Sequence, residues 1–90
     1  MTPQHVTVRY WASARSAAGV ESEEVAVTGP VTLAEVVRRV LADRDDSRLE
    51  RVLGVCSVLV GDRPAGTHEP DEVLVNPGES VEFLPPFAGG

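Results

Sequence analysis

From Val31 to Ala42 the chain reads Val-Thr-Leu-Ala-Glu-Val-Val-Arg-Arg-Val-Leu-Ala, with Leu33, Val36, Val37, Val40 and Leu41 at i, i+3, i+4, i+7 and i+8. That spacing puts five aliphatic side chains on one face of an α-helix. Thr32 followed three residues later by Glu35 is the pattern of a reciprocal capping box, and Val31 with Val36 that of a hydrophobic staple. Glu35 and Arg39 are placed to pair on the outer face, which contributes only a few tenths of a kcal/mol. The pattern predicts a helix ending near Ala42, before Asp43-Arg44-Asp45-Asp46, whose clustered carboxylates read as a solvated loop rather than a metal site. One such stripe needs a broad apolar surface to lie on, and the rest of the chain must supply it.

The other segments have strand periodicity. Val6, Val8 and Tyr10 alternate with Thr7, Arg9 and Trp11, and Val25 and Val27 alternate within Glu23–Val27. Trp11 falls on the outer face, where it covers sheet edge or meets a partner. Val55 to Val60 is the most continuously apolar run, as expected of a strand that is central or covered on both faces. Val73-Leu74-Val75 reads as a short edge strand and Val81-Glu82-Phe83-Leu84 as the last strand. Between them lie turn signals at Thr28-Gly29-Pro30, Gly61-Asp62 and Asn76-Pro77-Gly78. Ala12 to Gly19 predicts a short helical turn with Gly19 as its left-handed cap, and Leu49, Val52 and Leu53 a second short helix closed by Gly54. Pro64 confines its segment to an edge, and Ala65 to Pro70 reads as irregular. The economical architecture is α+β: an open mixed sheet of four to five strands with one main helix packed across it.

Ninety residues with no internal repeat form one small domain. The net charge is −6, which argues against nucleic acid and anionic membrane as partners and favours a basic groove. All eight basic residues are arginine, so no side chain here can accept an isopeptide bond. The single Cys56 excludes an internal disulfide and sits in an apolar run, as a small core residue does. His5 and His68 have no neighbours in sequence that suggest a triad or metal site. Met1-Thr2-Pro3-Gln4-His5 lacks the features of a signal peptide and no run is long enough to span a membrane, so a cytoplasmic protein is expected.

The end of the chain remains: Pro85-Pro86-Phe87-Ala88-Gly89-Gly90. Two prolines stop the last strand, because neither can donate to the ladder. Glycine has no Cβ, so Gly89-Gly90 can thread a channel too narrow for other residues; a frayed terminus is the plainer alternative. Residues 1–84 are thus expected to form the domain and 85–90 a flexible tail.

Two segments carry a family resemblance. Arg9-Tyr10-Trp11-Ala12-Ser13-Ala14-Arg15-Ser16-Ala17-Ala18-Gly19 is similar to a first strand and turn of the form hydrophobic-Phe-Phe/Tyr-Ala-x-x-Arg-x-x-x-Gly. The run from Asn76 to Gly90 is similar to an ending in which a turn and a strand lead into Pro-Pro-x-x-Gly-Gly. Both belong to the MoaD/ThiS ubiquitin-like sulfur carriers, and the chain most resembles the small subunit of molybdopterin synthase, the MoaD type. It departs from that pattern at Gly61, where asparagine is usual, in the Asn76–Ser80 turn and in the loop from Arg63 to Glu72.

The resemblance implies a β-grasp fold and a non-catalytic carrier whose Gly90 carboxylate receives the sulfur, with Gly89 and Ala88 as its slim neck. It implies an adenylating enzyme of the MoeB/ThiF type (E1-like) that uses ATP, a sulfur donor protein and a MoaE-like large synthase subunit in a heterotetramer. No cofactor is expected to be bound to the carrier itself. The sulfur would reach a pterin precursor of the molybdenum cofactor. A thiamin thiazole, cysteine or tRNA destination, or a role as protein modifier, uses the same tail. Leu84, Pro85, Pro86, Phe87 and Arg15 are the expected docking residues. Core packing for Leu84 and a local ion pair for Arg15 are the alternatives.

Overall fold

The computed structural model describes residues 4–42, 44 and 47–86. Phe87, Ala88, Gly89 and Gly90, the N-terminal Met1–Pro3, and Asp43, Asp45 and Asp46 of the acidic cluster lie outside the described residues. In chain order the elements are β1 (Gln4–Tyr10), α1 (Ala12–Ala18), β2 (Ser22–Val27), β3 (Val31–Thr32), α2 (Leu33–Ala42) and α3 (Ser47–Leu53). There follow β4 (Ser57–Val60), β5 (Arg63–Pro64), a 3-10 turn at Pro70–Glu72, β6 (Leu74–Val75) and β7 (Ser80–Leu84).

Five strands make a mixed sheet in the order β2-β1-β7-β4-β5. β1 and β7 run parallel, and the other neighbouring pairs are antiparallel. The first and last long strands therefore lie side by side in the middle. Alternation sends Val6, Val8 and Tyr10 of β1, Val25 and Val27 of β2, Val60 of β4, and Val81 and Phe83 of β7 inward. Leu33, Val36 and Val40 of α2 meet them, with Ala14 of α1 and Leu49 and Leu53 of α3 closing the same layer. At about 1.5–3 kcal/mol for each fully buried Val, Leu or Phe, this layer supplies the main stabilising term. No polar side chain among the described residues is fully buried. No helix among them is long and apolar enough to cross a membrane.

The five-stranded mixed sheet and its crossing helix agree with the sequence expectation, and local details differ. β1 ends at Tyr10, because Trp11 turns out of the ladder to precede α1. α1 spans seven residues, with Gly19 at φ 83° as its left-handed cap. The capping box of α2 is only half made. Thr32 Oγ1 accepts from the Glu35 amide at 3.1 Å, but the Glu35 carboxylate binds Arg38 at 2.6 Å and Arg39 at 2.8 Å. Two guanidinium partners compete successfully against one backbone amide.

β4 starts at Ser57, leaving Val55 64% exposed, because the chain from α3 turns through Gly54-Val55 before it can pair. Nor is β4 the centre of the sheet. That place belongs to β7, where Val81 and Phe83 are 0% and 1% exposed. The segment expected as a main-sheet edge instead pairs with β3 in a separate two-stranded ribbon, Val31 with Val75 and Thr32 with Leu74. That ribbon starts α2, since the Leu33 amide donates to the Val73 carbonyl at 2.8 Å.

Candidate functional site

β7 carries the chain out of the domain from the middle of the sheet. Its inward residues are Val81 and Phe83, so alternation puts Ser80, Glu82 and Leu84 on the outer face. Leu84 is half-buried opposite Ser57 of β4, and the core-packing alternative for it does not hold. On the other side the Trp11 amide donates to the Phe83 carbonyl at 3.2 Å, and the Trp11 indole N–H donates to Glu82 Oε1 at 3.1 Å. The base of the tail is thus held from both flanks before Pro85 and Pro86 end the ladder. Pro85 is half-buried and Pro86 exposed.

Trp11, 48% exposed, lies beside a shallow pocket that Arg9, Arg15, Glu21 and Ser22 also line. Ala12, which begins α1 there, sits at φ 50°, a left-handed conformation that costs a non-glycine residue about 1–2 kcal/mol. Arg15 is exposed on α1. Arg38, Arg39, Arg44 and Arg63 all form ion pairs, whereas Arg9 and Arg15 have no hydrogen bond or ion pair to any described side chain. The local ion pair considered for Arg15 is therefore absent among the described residues. Two free guanidinium groups and an indole mark this end of a strongly acidic protein.

Beneath this surface is an arrangement that the sequence did not signal. The Tyr10 hydroxyl donates to Glu23 Oε2 at 2.7 Å, and Arg44 Nη2 donates to the same oxygen at 2.8 Å. Arg44 also donates to the carbonyls of Ala18 and Val40, at the ends of α1 and α2, and its guanidinium lies 5.9 Å from the Tyr10 ring centre. Burial first, then the Glu23 carboxylate, pushes the Tyr10 phenol far above its ordinary value, although Arg44 opposes the shift. Tyr10 in turn stacks on Phe83, with ring centres 6.1 Å apart and planes 15° from parallel. Arg44 is thereby connected through Tyr10 to the last inward residue before the tail.

The remaining candidates are structural. The Cys56 thiol donates to the Val52 carbonyl at 3.2 Å, and burial pushes its pKa up to about 11, so it is a poor nucleophile at neutral pH. Among the described residues no group of His, Cys, Asp and Glu is arranged to hold a metal ion.

A mixed sheet with parallel first and last strands, a helix across one face and a terminal segment leaving the central strand define a ubiquitin-like β-grasp domain. Residues 8–90 match the ThiS family, and the chain belongs to it. With that family it is a ubiquitin-like sulfur carrier of the ThiS/MoaD type. Solved structures share its fold. The crystal structure of small archaeal modifier protein 1 from Haloferax volcanii aligns at a TM-score of 0.77 with 21% identity, over 96% of this chain and 99% of that one. The HVO 2177 protein of Haloferax volcanii aligns at 0.74 with 25% identity, over 98% and 88%. A chain of the complex of subunits 1 and 2 of molybdopterin-converting factor from Helicobacter pylori 26695 aligns at 0.62 with 23% identity, over 96% and 99%. No curated protein sequence matches the chain significantly.

Proposed function

We propose that this carrier accepts sulfur as a thiocarboxylate at Gly90 and delivers it to a pterin precursor in molybdenum cofactor synthesis. The observation that carries the reading is the exit of Leu84-Pro85-Pro86 from the central strand, in a chain whose family match runs through residue 90. An α-carboxylate has a pKa of about 3.3–3.7, so at neutral pH it is ionised and a poor electrophile. A partner adenylating enzyme, E1-like and of the MoeB/ThiF type, joins it to AMP from ATP and releases pyrophosphate. Sulfide-level sulfur released by a donor protein then attacks the acyl carbon, displaces AMP and leaves the thiocarboxylate.

On this reading the catalytic groups lie on the partners. Leu84 to Gly90 spans roughly 20 Å when extended, enough to cross the wall of a small enzyme. Pro85 and Pro86 stiffen the base and reduce the entropy lost on docking. Ala88 and Gly89 form the narrow neck. Leu84 on the outer face, Pro85, Pro86, Phe87 and the unpaired Arg15 form the docking surface, for the adenylating enzyme and then for a MoaE-like large subunit in a heterotetramer. The Tyr10-Trp11-Ala12-Ser13-Ala14-Arg15 segment favours the pterin destination.

The experiment is a transfer assay. Two equivalents of thiocarboxylated protein, mixed with a large synthase subunit and its pterin precursor, should each give up one sulfur, return to the carboxylate and yield a dithiolene product. Transfer instead to a thiazole precursor, cysteine or tRNA, or an isopeptide bond from Gly90 to a target lysine, would overturn the pterin assignment.

A further inference from the structure

The two edges of the main sheet are finished differently. β5, at one edge, is two residues long and contains Pro64, so it offers almost nothing to a further strand. β2, at the other, is six residues long, has no proline and pairs with β1 in unbroken register from Gln4–Val27 to Arg9–Ser22. The Tyr10 amide donates to the Glu21 carbonyl at 3.0 Å, which fixes the phase of the ladder. Odd-numbered residues of this strand turn their backbone groups toward β1; Ser22, Glu24 and Ala26 turn theirs outward. The Ala26 carbonyl accepts from Arg39, as that phase requires. The amides and carbonyls of Ser22 and Glu24 and the Ala26 amide are left without a protein partner among the described residues.

Charge narrows what can lie there. Glu21 and Glu24 are exposed and have no ion pair among the described residues. Arg39, the cation that reaches this edge, is taken by Glu35 and the Ala26 carbonyl. Arg9 lies one strand further in, opposite Ser22, and Arg15 lines a pocket with Glu21 and Ser22, so midway along the edge Glu24 is the charged side chain that β2 itself presents on the outer face. A second copy pairing through the same edge would bring its own Glu21 and Glu24 against these carboxylates, and like charges opposed across strands are destabilising.

We propose that the β2 edge docks an extended, basic segment of a partner protein, which adds a strand to the sheet through Ser22, Glu24 and the Ala26 amide. The edge lies two strands from β7, about 10 Å, so a partner held there leaves the exit at Pro85-Pro86 open. At its Ser22 end the added strand adjoins the Trp11 and Arg15 surface, with which Ser22 lines one pocket. Neither feature depends on the sulfur chemistry.

The test uses the full chain and a capped octapeptide of alternating valine and arginine. Amide hydrogen exchange and NMR shifts are followed at increasing peptide, up to about 1 mM. The expected result is slowed exchange at Ser22, Glu24 and Ala26. Full backbone N-methylation of the peptide, which keeps its charge and removes its donors, should weaken binding at least about tenfold. Glu24→Pro should do the same, since it removes an outward amide and leaves the β1 ladder intact; the N-methylated peptide serves as the arm that does not depend on that variant folding. Equal binding of the two peptides would reduce the effect to charge alone and overturn the proposal. So would unchanged exchange at the three amides, or slowing produced by raising protein concentration without peptide, which would identify a second copy.

Discussion

The indole N–H of Trp11 bridges 71 residues of chain to reach the Glu82 carboxylate at 3.1 Å, tying the start of α1 to the strand that bears the tail. The bond is exposed, so its effect on stability is small, about 0.5–1 kcal/mol. The indole's larger part in this account is to present a surface beside Leu84.

Trp11→Ala should therefore separate folding from docking. Thermal melts should move by only a few degrees, while the apparent KM for the adenylating enzyme should rise about tenfold or more with little change in kcat. Arg15→Ala should raise KM in the same way, with a steeper salt dependence in the wild type than in the variant. An unchanged KM in both variants would remove this surface from the docking model.

Arg44 stands at the junction of α1, α2, β1 and β2. Arg44→Met leaves Glu23 partly buried without its cation and should cost about 2–3 kcal/mol in denaturant unfolding. Glu23→Gln in the same background should cost much less than it does alone. A double-mutant cycle showing no coupling between the two would mean that the ion pair does not form in solution.

The half-made capping box gives an unequal pair of expectations. Thr32→Ala should destabilise by about 1 kcal/mol, because it removes the acceptor of the Glu35 amide. Glu35→Gln should cost less, since its carboxylate serves only exposed pairs with Arg38 and Arg39. Those arginines hold the Glu35 carboxyl below its ordinary range. The small stability it contributes is present above the unfolded pKa and disappears as pH falls through the folded one. Equal costs for the two substitutions would indicate a reciprocal box.

Cys56 gives a pH dependence of the opposite sign. Its folded pKa of about 11 lies above the ordinary value of 9.0, so the unfolded chain gives up this proton first. The stability contribution is complete below pH 9 and is lost as pH rises toward 11. Reaction with a thiol reagent at pH 8 should be much slower in native than in unfolded protein. Comparable rates in both would show that the thiol is not shielded.

Several parts of this structure were legible in the residues. Val6, Val8 and Tyr10 have a period of two, Leu33 to Leu41 follow one helical stripe, and Gly19 marks its own cap; each signal is local and strong. The β3–β6 ribbon was not legible, since two residues per strand carry no period. Nor was the central position of β7 legible, because a Val-Glu-Phe-Leu run reads the same at an edge or a centre and only topology distinguishes them. Glu23 and Arg44 lie 21 residues apart, and nothing in an acidic loop says that its arginine turns inward. The motif puts forward Leu84, Pro85 and Arg15, and the fold adds that Leu84 lies on the outer face and Arg15 is exposed. Trp11's hold on Glu82 spans 71 residues and the left-handed turn at Ala12 involves no glycine, so neither left a local signal.

The most direct test of the central claim is the intact mass of the protein after incubation with its adenylating enzyme, ATP and a sulfur donor. The expected result is a gain equal to exchange of one oxygen for one sulfur, located at Gly90 and abolished when Gly90 is deleted. No gain with an enzyme shown to be active, or the same gain in the chain lacking Gly90, would contradict it.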